Sequence, residues 1–265
     1  MLFLLPPSET KALGGGALSI SVVALTFGGL NPARDQVYKA LAKLCKKPRI
    51  AASTLKLSPK QLADIALNLE VQTGPTMRAL ERYTGTLYDA VHGGFTGTEQ
   101  PLDQAAWKRA KESVLIQSSL FGLIPATDLI PAYRLGASVS LPGASLKQVW
   151  PVAHEPIFRR LSQGLIVDLR SKAYVDLAPI PADVPSVWVE VVSRESDGQL
   201  RALNHFNKRA KGLLVRAILT AERAPETLRD LAQIAASAGM ELQGDETSGQ
   251  LTLVTDQIKK AQLYP

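Results

Sequence analysis

The sequence predicts an α+β fold, a single compact domain over residues 1–265 with a central sheet and flanking helices. Three observations carry this expectation. Short apolar runs at Met1–Leu5 and Leu165–Leu169 have no helical period and read as buried strands. Longer stretches, such as Asn31–Cys45, repeat apolar residues at helical spacing. No internal repeat, low-complexity tract or linker divides the chain.

Composition sets the limits. With 46% hydrophobic and 20% charged residues, the chain can bury a sizeable core without a disulfide or metal staple. The formal net charge of +6 is modest for 265 residues, so where the charge sits matters more than its sum. Cys45 is the one cysteine, which rules out a disulfide within the chain and fits a reducing compartment. It also rules out two-cysteine peroxidase chemistry within one chain. Met1–Leu5 lacks a basic flank and is ended by Pro6-Pro7, unlike a secretory signal. Ala17–Leu30 is too short to span a bilayer. A cytoplasmic protein with no membrane partner is expected.

The elements follow in order. Met1–Leu5 is a strand that feeds the loop Pro7-Ser8-Glu9-Thr10-Lys11, a common position for a binding site. Gly14-Gly15-Gly16 matches neither the phosphate-loop nor the dinucleotide spacing. Asn31–Cys45 is a helix with Val37, Leu41 and Leu44 on one face. Ser58-Pro59-Lys60-Gln61 is a helix start: Ser58 caps, Pro59 takes the first helical position, and Gln61 completes a capping box. Leu62, Ile65 and Leu69 continue that helix, Thr73-Gly74-Pro75 turns, and a second helix runs through Met77 and Leu80. This pair reads as a helix-hairpin-helix-like element, able to present backbone amides to a phosphate.

Tyr83–Tyr88 is a polar, aromatic turn, and Asp103–Ser113 is a helix with Trp107, Ala110 and Val114 inward. Leu120–Ile124 is an apolar segment that runs into Pro125 and Pro131 and ends at Tyr133-Arg134. Leu146–Leu161 is a helix that Pro151 and Pro156 should break into pieces. Leu165–Leu169 and the alternating Val187–Val192 are strands, and Leu200–Leu203 extends a hairpin. A helix starts at Pro225 and ends at Gly239, and Met240–Gln243 and Leu251–Val254 form a closing hairpin.

The stretch Asn204–Arg223 is the most distinctive. On a wheel of about 100° per residue, Phe206, Ala210, Leu213, Leu214, Ala217 and Ile218 share one side. His205, Lys208, Arg209, Gly212 and Arg216 fall near the opposite side. Glycine in a helix interior costs roughly 1 kcal/mol against alanine, so Gly212 points to a close approach.

No motif names an enzyme class. His92, His154 and His205 are scattered without metal-ligand spacing, and no metal or cofactor is implied. What remains is polar groups beside strand ends. Ser8, Glu9 and Lys11 follow the first strand, Asp168, Ser171 and Tyr174 accompany the strand at 165–169, and Tyr133 and Arg134 follow the proline-rich segment. If those strands are parallel neighbours, their carboxyl ends converge on one crevice.

At these residues the sequence resembles the YaaA peroxide-stress family. The pieces are Pro7-Ser8-Glu9-Thr10-Lys11, Tyr83-Thr84-Gly85-Thr86-Leu87-Tyr88, and Leu120–Ile124 with Asp128–Leu135. Trp150, the strand into Ser171 and Tyr174, and Lys208–Gly212 with Arg216 complete the match, in order along nearly the whole chain. The resemblance implies a mixed α/β fold peculiar to the family, a helix-hairpin-helix-like element and a positively charged cleft. It also implies DNA binding and tolerance of hydrogen peroxide linked to limiting free iron. No obligate protein partner follows from it.

Two functional readings result. In the first, Lys208, Arg209, Lys211, Arg216 and Arg134 contact DNA phosphates without strong sequence preference. Ser8, Glu9, Thr84, Ser171 and Gly212 then line the cleft, with Tyr83 and Tyr133 able to stack on an unpaired base. In the second, the same cleft holds an enzyme acting on a nucleotide or nucleic-acid base, with Lys11 or Asp168 reacting and Tyr174 or Ser171 orienting.

Overall fold

Leu2–Leu5 forms β1, the strand from which the sheet is built outward on both sides. The structure, a computed structural model, describes residues 1–16, 25–93, 101–194, 199–202 and 207–256. The expected start of the basic helix at Asn204, with His205 and Phe206, lies outside these residues, as do Leu203 and part of the apolar stretch 17–30.

The first half of the chain is mostly helical: α1 (Asn31–Cys45), α2 (Pro48–Thr54), α3 (Asp64–Leu69), α4 (Ala79–Arg82), α5 (Thr86–His92) and α6 (Gln104–Ser113). Strand β2 (Thr76–Arg78) interrupts them. The rest comprises β3 (Val114–Ser118), β4 (Gly122–Pro125), β5 (Leu129–Pro131), α7 (Leu146–Arg160), β6 (Ile166–Asp168), α8 (Lys172–Leu177), β7 (Ser186–Arg194), β8 (Leu200–Ala202), α9 (Asn207–Thr220), α10 (Leu228–Ser237), β9 (Met240–Gly244) and β10 (Gln250–Asp256). Among the described residues, no helix is long and apolar enough to cross a membrane.

The main sheet has the order β4-β3-β1-β6-β7-β10-β9, with β8 paired to β7. Its centre, β3-β1-β6-β7-β10, is parallel throughout, and β4, β8 and β9 are antiparallel. The architecture is therefore mixed α/β rather than α+β. Parallel neighbours need helical crossovers, which cover both faces and make the central strands continuously apolar. Strand β1 shows this: Phe3 and Leu5 enter one apolar cluster with Leu214 and Ile218 of α9, while Leu4 enters another with Ile157 and Phe158 of α7.

Three expectations are corrected. Met77 lies on β2, not in a second helix, and β2 pairs antiparallel with β5. After Pro75, the backbone of this stretch finds partners far away in sequence: Thr76 exchanges hydrogen bonds with Gly16, and Met77 pairs with Ile130. These non-local bonds outcompete a helical turn, leaving α4 as a single turn and no second hairpin helix at the expected place. Val114 does not continue α6 but opens β3, and the proline-rich segment that follows supplies two more strands.

Finally, α7 runs unbroken through Pro151 and Pro156. The carbonyls that these prolines leave without an amide belong to Lys147 and Val152, both exposed to water. The opposite face, with Trp150, His154, Ile157 and Phe158, is fully buried and holds the helix together.

The capping box of Ser58 and Gln61 forms as expected, although on a short 3₁₀ turn ahead of α3. The closing hairpin β9–β10 forms in full register, from Leu251 opposite Gly244 to Thr255 opposite Met240.

Candidate functional site

The register fixes where a site can lie. Leu4 pairs with Asp168, and Asp168 pairs with Trp188, so β1 and β6 end at about the level of Trp188. Strand β7 continues to Arg194. At and beyond the carboxyl ends of β1 and β6, its Trp188 and Glu190 floor a cleft of about 780 Å³. One wall is the loop after β1, Pro7–Thr10. A second is Ser171–Tyr174 at the start of α8, and a third is Asn207, Lys208 and Lys211 on α9.

The loop after β1 is fixed from below. Thr84 donates its amide to the Thr10 carbonyl (3.2 Å), and Thr10 Oγ1 donates back to the Thr84 carbonyl (3.3 Å). Gly85, at φ 94°, is required there: a Cβ would meet Thr10 Oγ1 and Ser8 Oγ at 3.3 and 3.4 Å in a conformation that side chains rarely adopt. Further along, the buried Arg82 donates to the carbonyls of Ala12, Gly14, Pro75 and Ile130, clasping the same loop against β2 and β5.

Lys211 is the cation most deeply set in the cleft. Its side chain is buried, its Nζ donates to the Leu169 carbonyl (3.0 Å), and it lies 5.5 Å from the centre of the Trp188 ring. Burial lowers its pKa to about 8, opposed by the charges of Asp168 and Glu190. Lys172 Nζ stands 5.9 Å from the same ring, and Lys208 is exposed on the cleft wall. Trp188 is in turn held by its indole N–H, which donates to the Arg170 carbonyl (3.0 Å).

Lys11 sits beneath the loop rather than in the cleft wall. Its Nζ donates to the carbonyls of Ser8 (2.9 Å) and Glu9 (3.4 Å), 4.0 Å above the Tyr133 ring and 5.2 Å from that of Tyr83. The residue keeps some exposed surface, but the ammonium is enclosed. Burial and, after it, Arg134 lower its pKa to about 7. The tyrosines below are sealed: Tyr83 and Tyr133 join hydroxyls at 2.8 Å, and Tyr133 bonds to Ser118 Oγ at 2.8 Å. Neither ring face is open to a base.

The other expected residues divide clearly. Ser8, Glu9, Thr84, Ser171, Tyr174, Lys208 and Lys211 line the cleft. Burial, with Tyr133 and Glu9 nearby, pushes the Tyr174 phenol above its ordinary pKa. Asp168 does not face the cleft as a free carboxylate. Both its oxygens accept from the buried guanidinium of Arg170, whose other nitrogen donates to the Tyr174 and Ala178 carbonyls. Arg134 braces the cleft from behind, pairing with Glu9 at 2.8 Å and reaching Asp64 at 3.9 Å.

Arg216 donates to the Val91 carbonyl (3.0 Å) at the end of α5, and Arg209 is half-buried on α9 outside the cleft wall. Gly212 is explained by packing. A Cβ there would stand 2.2 Å from the Leu87 carbonyl oxygen and 2.7 Å from the Ala90 Cβ, so α9 presses directly on α5.

Sequence reasoning missed Trp188, Glu190, Lys172 and Thr10. The signal for the first two was present: alternation along Val187–Val192 puts residues 188 and 190 on one face. Among the described residues, no three His, Cys, Asp or Glu side chains come together where they could share a metal ion.

A family model described as peroxide stress protein YaaA matches residues 1–244, a span that takes in every residue of the cleft. The chain belongs to the YaaA peroxide stress protein family. Relatives agree with this. A UPF0246 protein of Corynebacterium efficiens is 36% identical over 260 residues, which cover 96% of this chain and 100% of the relative. One from Streptomyces coelicolor is 35% identical over 249 residues, covering 92% and 93%. A more distant one from Shewanella loihica is 26% identical over 233 residues, covering 83% and 85%. In this YaaA-family chain, the loop after β1, residues 84–88 of the aromatic turn, and Lys208 and Lys211 of α9 meet at one place, the cleft at the carboxyl ends of β1 and β6.

Proposed function

We propose that this YaaA-family protein acts in the response to hydrogen peroxide by binding DNA, with one unpaired nucleotide seated in the cleft. The observation that carries the reading is the half-buried Trp188 on the floor of a nucleotide-sized cleft, with Lys172 and Lys211 within 6 Å of its ring and Lys208 on the wall. An indole offers a stacking platform worth about 1–3 kcal/mol per base, and the lysines answer the phosphates. Of the five basic residues expected at a DNA surface, only Lys208 and Lys211 line the cleft, which favours a single nucleotide over a bound duplex.

The test is quenching of Trp188 fluorescence by a short single-stranded oligonucleotide, with Trp188→Phe as the blank. If three lysines meet phosphates, the log–log salt slope should be about −2, and Lys208→Ala with Lys211→Ala should bring it near −1. An unchanged slope, or quenching that Trp188→Phe retains, refutes the reading.

A second reading, an enzyme acting on the seated nucleotide or base, is favoured by one feature. Lys211 lines the cleft with a pKa of about 8, close to the range in which a general acid or base works best. Release of base or nucleotide that Lys211→Ala abolishes and Lys211→Arg does not restore would support it. Undiminished turnover in Lys211→Ala would sink it.

A further inference from the structure

The chain's positive charge is concentrated away from the cleft. Residues 36–63 hold seven Lys or Arg and no Asp or Glu, whereas the whole chain carries +6, so the remainder carries −1. The stretch covers most of α1, all of α2 and the 3₁₀ turn before α3. Lys39, Lys43 and Lys46 recur at helical spacing, opposite the face of α1 that buries Val37, Leu41 and Leu44. Lys39 is paired with Asp35 at 2.7 Å. Among the described residues, Lys43, Lys46, Lys47, Arg49, Lys56 and Lys60 are all exposed and have no ion-pair partner.

A favourable position at the end of α1 accounts for Lys43. It does not account for Lys56. Helix α2 ends with the Lys56 amide donating to the Ser53 carbonyl (3.2 Å) and the Leu57 amide to the Ala52 carbonyl (2.9 Å). Lys56, at φ 55°, takes the left-handed position where glycine is the least costly residue. A lysine at a glycine position, within the most basic stretch of the sequence, points to a use for its charge.

A chain of ion pairs links the end of that stretch to the cleft wall. Four residues after Lys60, Asp64 opens α3 and faces Arg134, which pairs with Glu9 of the cleft wall. We propose that α1, α2 and the turn at 59–61 form a second nucleic-acid surface, which holds the phosphate backbone of the duplex flanking the nucleotide in the cleft. The inference rests on the nucleic-acid reading of the cleft. A single-sign array of separated cations with no acidic residue among them complements a phosphate backbone. An anionic membrane fits less well, since Ile50 and Leu62 are the exposed large apolar residues of this stretch, fewer than the apolar face of a membrane-lying helix needs.

The test compares the full-length protein, a Lys43→Ala/Lys46→Ala/Lys47→Ala/Arg49→Ala variant and Lys56→Gly. Each is titrated with a duplex bearing a short single-stranded tail across roughly 50–200 mM salt. Each is also titrated with the short strand alone, read by Trp188 quenching, and with phosphatidylserine vesicles. Expected is a quadruple variant whose duplex salt slope is shallower by about 2–4, with at least tenfold weaker binding in low salt and unchanged quenching by the short strand. Lys56→Gly should melt at a higher temperature yet bind the tailed duplex a few-fold more weakly, a combination that a purely structural lysine would not give.

An unchanged slope and affinity in the quadruple variant overturns the surface, and so does lysine-dependent vesicle binding with unaltered duplex binding. Duplex binding that needs these lysines, without any quenching by the short strand, leaves the surface standing and refutes the cleft reading instead. A wild-type protein that binds neither nucleic acid overturns both.

Discussion

Replacing Gly212 by alanine separates two opposing effects whose sizes follow from the structure. Alanine is the better helix former, by about 1 kcal/mol in a helix interior. The added Cβ would, however, lie 2.2 Å from the Leu87 carbonyl oxygen and 2.7 Å from the Ala90 Cβ. A backbone oxygen cannot rotate aside, so α9 must move away from α5. Overpacking of this kind costs typically 1–3 kcal/mol, and a backbone obstruction belongs at the upper end.

The expected outcome is a net loss of about 2 kcal/mol, or roughly 4–8 °C in melting temperature for a chain of this size. Urea unfolding followed by circular dichroism measures it. The displacement should also reach the cleft, because α9 carries Lys208 and Lys211 and α5 carries Thr86 and Leu87 of the adjoining wall. Quenching of Trp188 by a short strand should weaken in parallel. A Gly212→Ala protein as stable as the wild type, or more so, would show that helix propensity outweighs the contact and that α5 and α9 are not pressed together.

Other outcomes follow from the buried charges. Asp168→Asn leaves the buried Arg170 guanidinium without its counter-charge, and should destabilise the fold by about 3 kcal/mol. An Asp168→Asn protein with wild-type stability in urea would contradict a structural role for this pair. The same change removes a charge that raises the Lys211 pKa, so Lys211 should titrate lower, visible in the pH dependence of its acylation.

Lys11 is neutral in the folded protein above about pH 7 but protonated in the unfolded chain up to its ordinary value of 10.5. The unfolded state then binds more protons, so this group makes stability rise with pH between about 7 and 10.5, at most about 1.4 kcal/mol per pH unit. Lys211 acts in the same sense from about pH 8 upward. Lys11→Met should therefore remove the rise between about pH 7 and 8 and leave only the Lys211 share of the slope above about pH 8; parallel stability curves for the two proteins would refute the buried-ammonium account.

Much of this molecule is written in local patterns. Met1–Leu5, Leu165–Leu169 and Val187–Val192 announce their strands, and α1 begins and ends where its periodicity does, whereas the helix expected from Pro225 opens only at Leu228, behind a capping box of Thr227 and Asp230. Such features depend on which face of an element is apolar and on neighbours three or four residues away.

The candidate site was legible only in part. Ser8, Glu9, Ser171, Tyr174, Lys208 and Lys211 follow strand ends or lie on a basic helix face, and they do meet in the cleft. Arg216 and Gly212 have the same sequence character, yet serve the contact between α9 and α5. A helical wheel gives direction around an axis but not what stands opposite.

What the sequence by itself determined, then, is the set of elements whose burial is patterned within them, and the polar groups at their ends. Only the tertiary structure decided the rest: that 76–78 is a strand, that two prolines lie in one helix, that Asp168 belongs to Arg170, and that Trp188 floors the cleft. Asp168 and Arg170 are only two residues apart, and what the fold decides is that both are buried together; the others turn on partners more than one turn or strand away. Thr76 meets Gly16, Met77 meets Ile130, and Trp188 stands level with the end of β6. A hydrogen bond or contact between residues far apart in the chain is fixed by the packing of whole elements, and no local period records it.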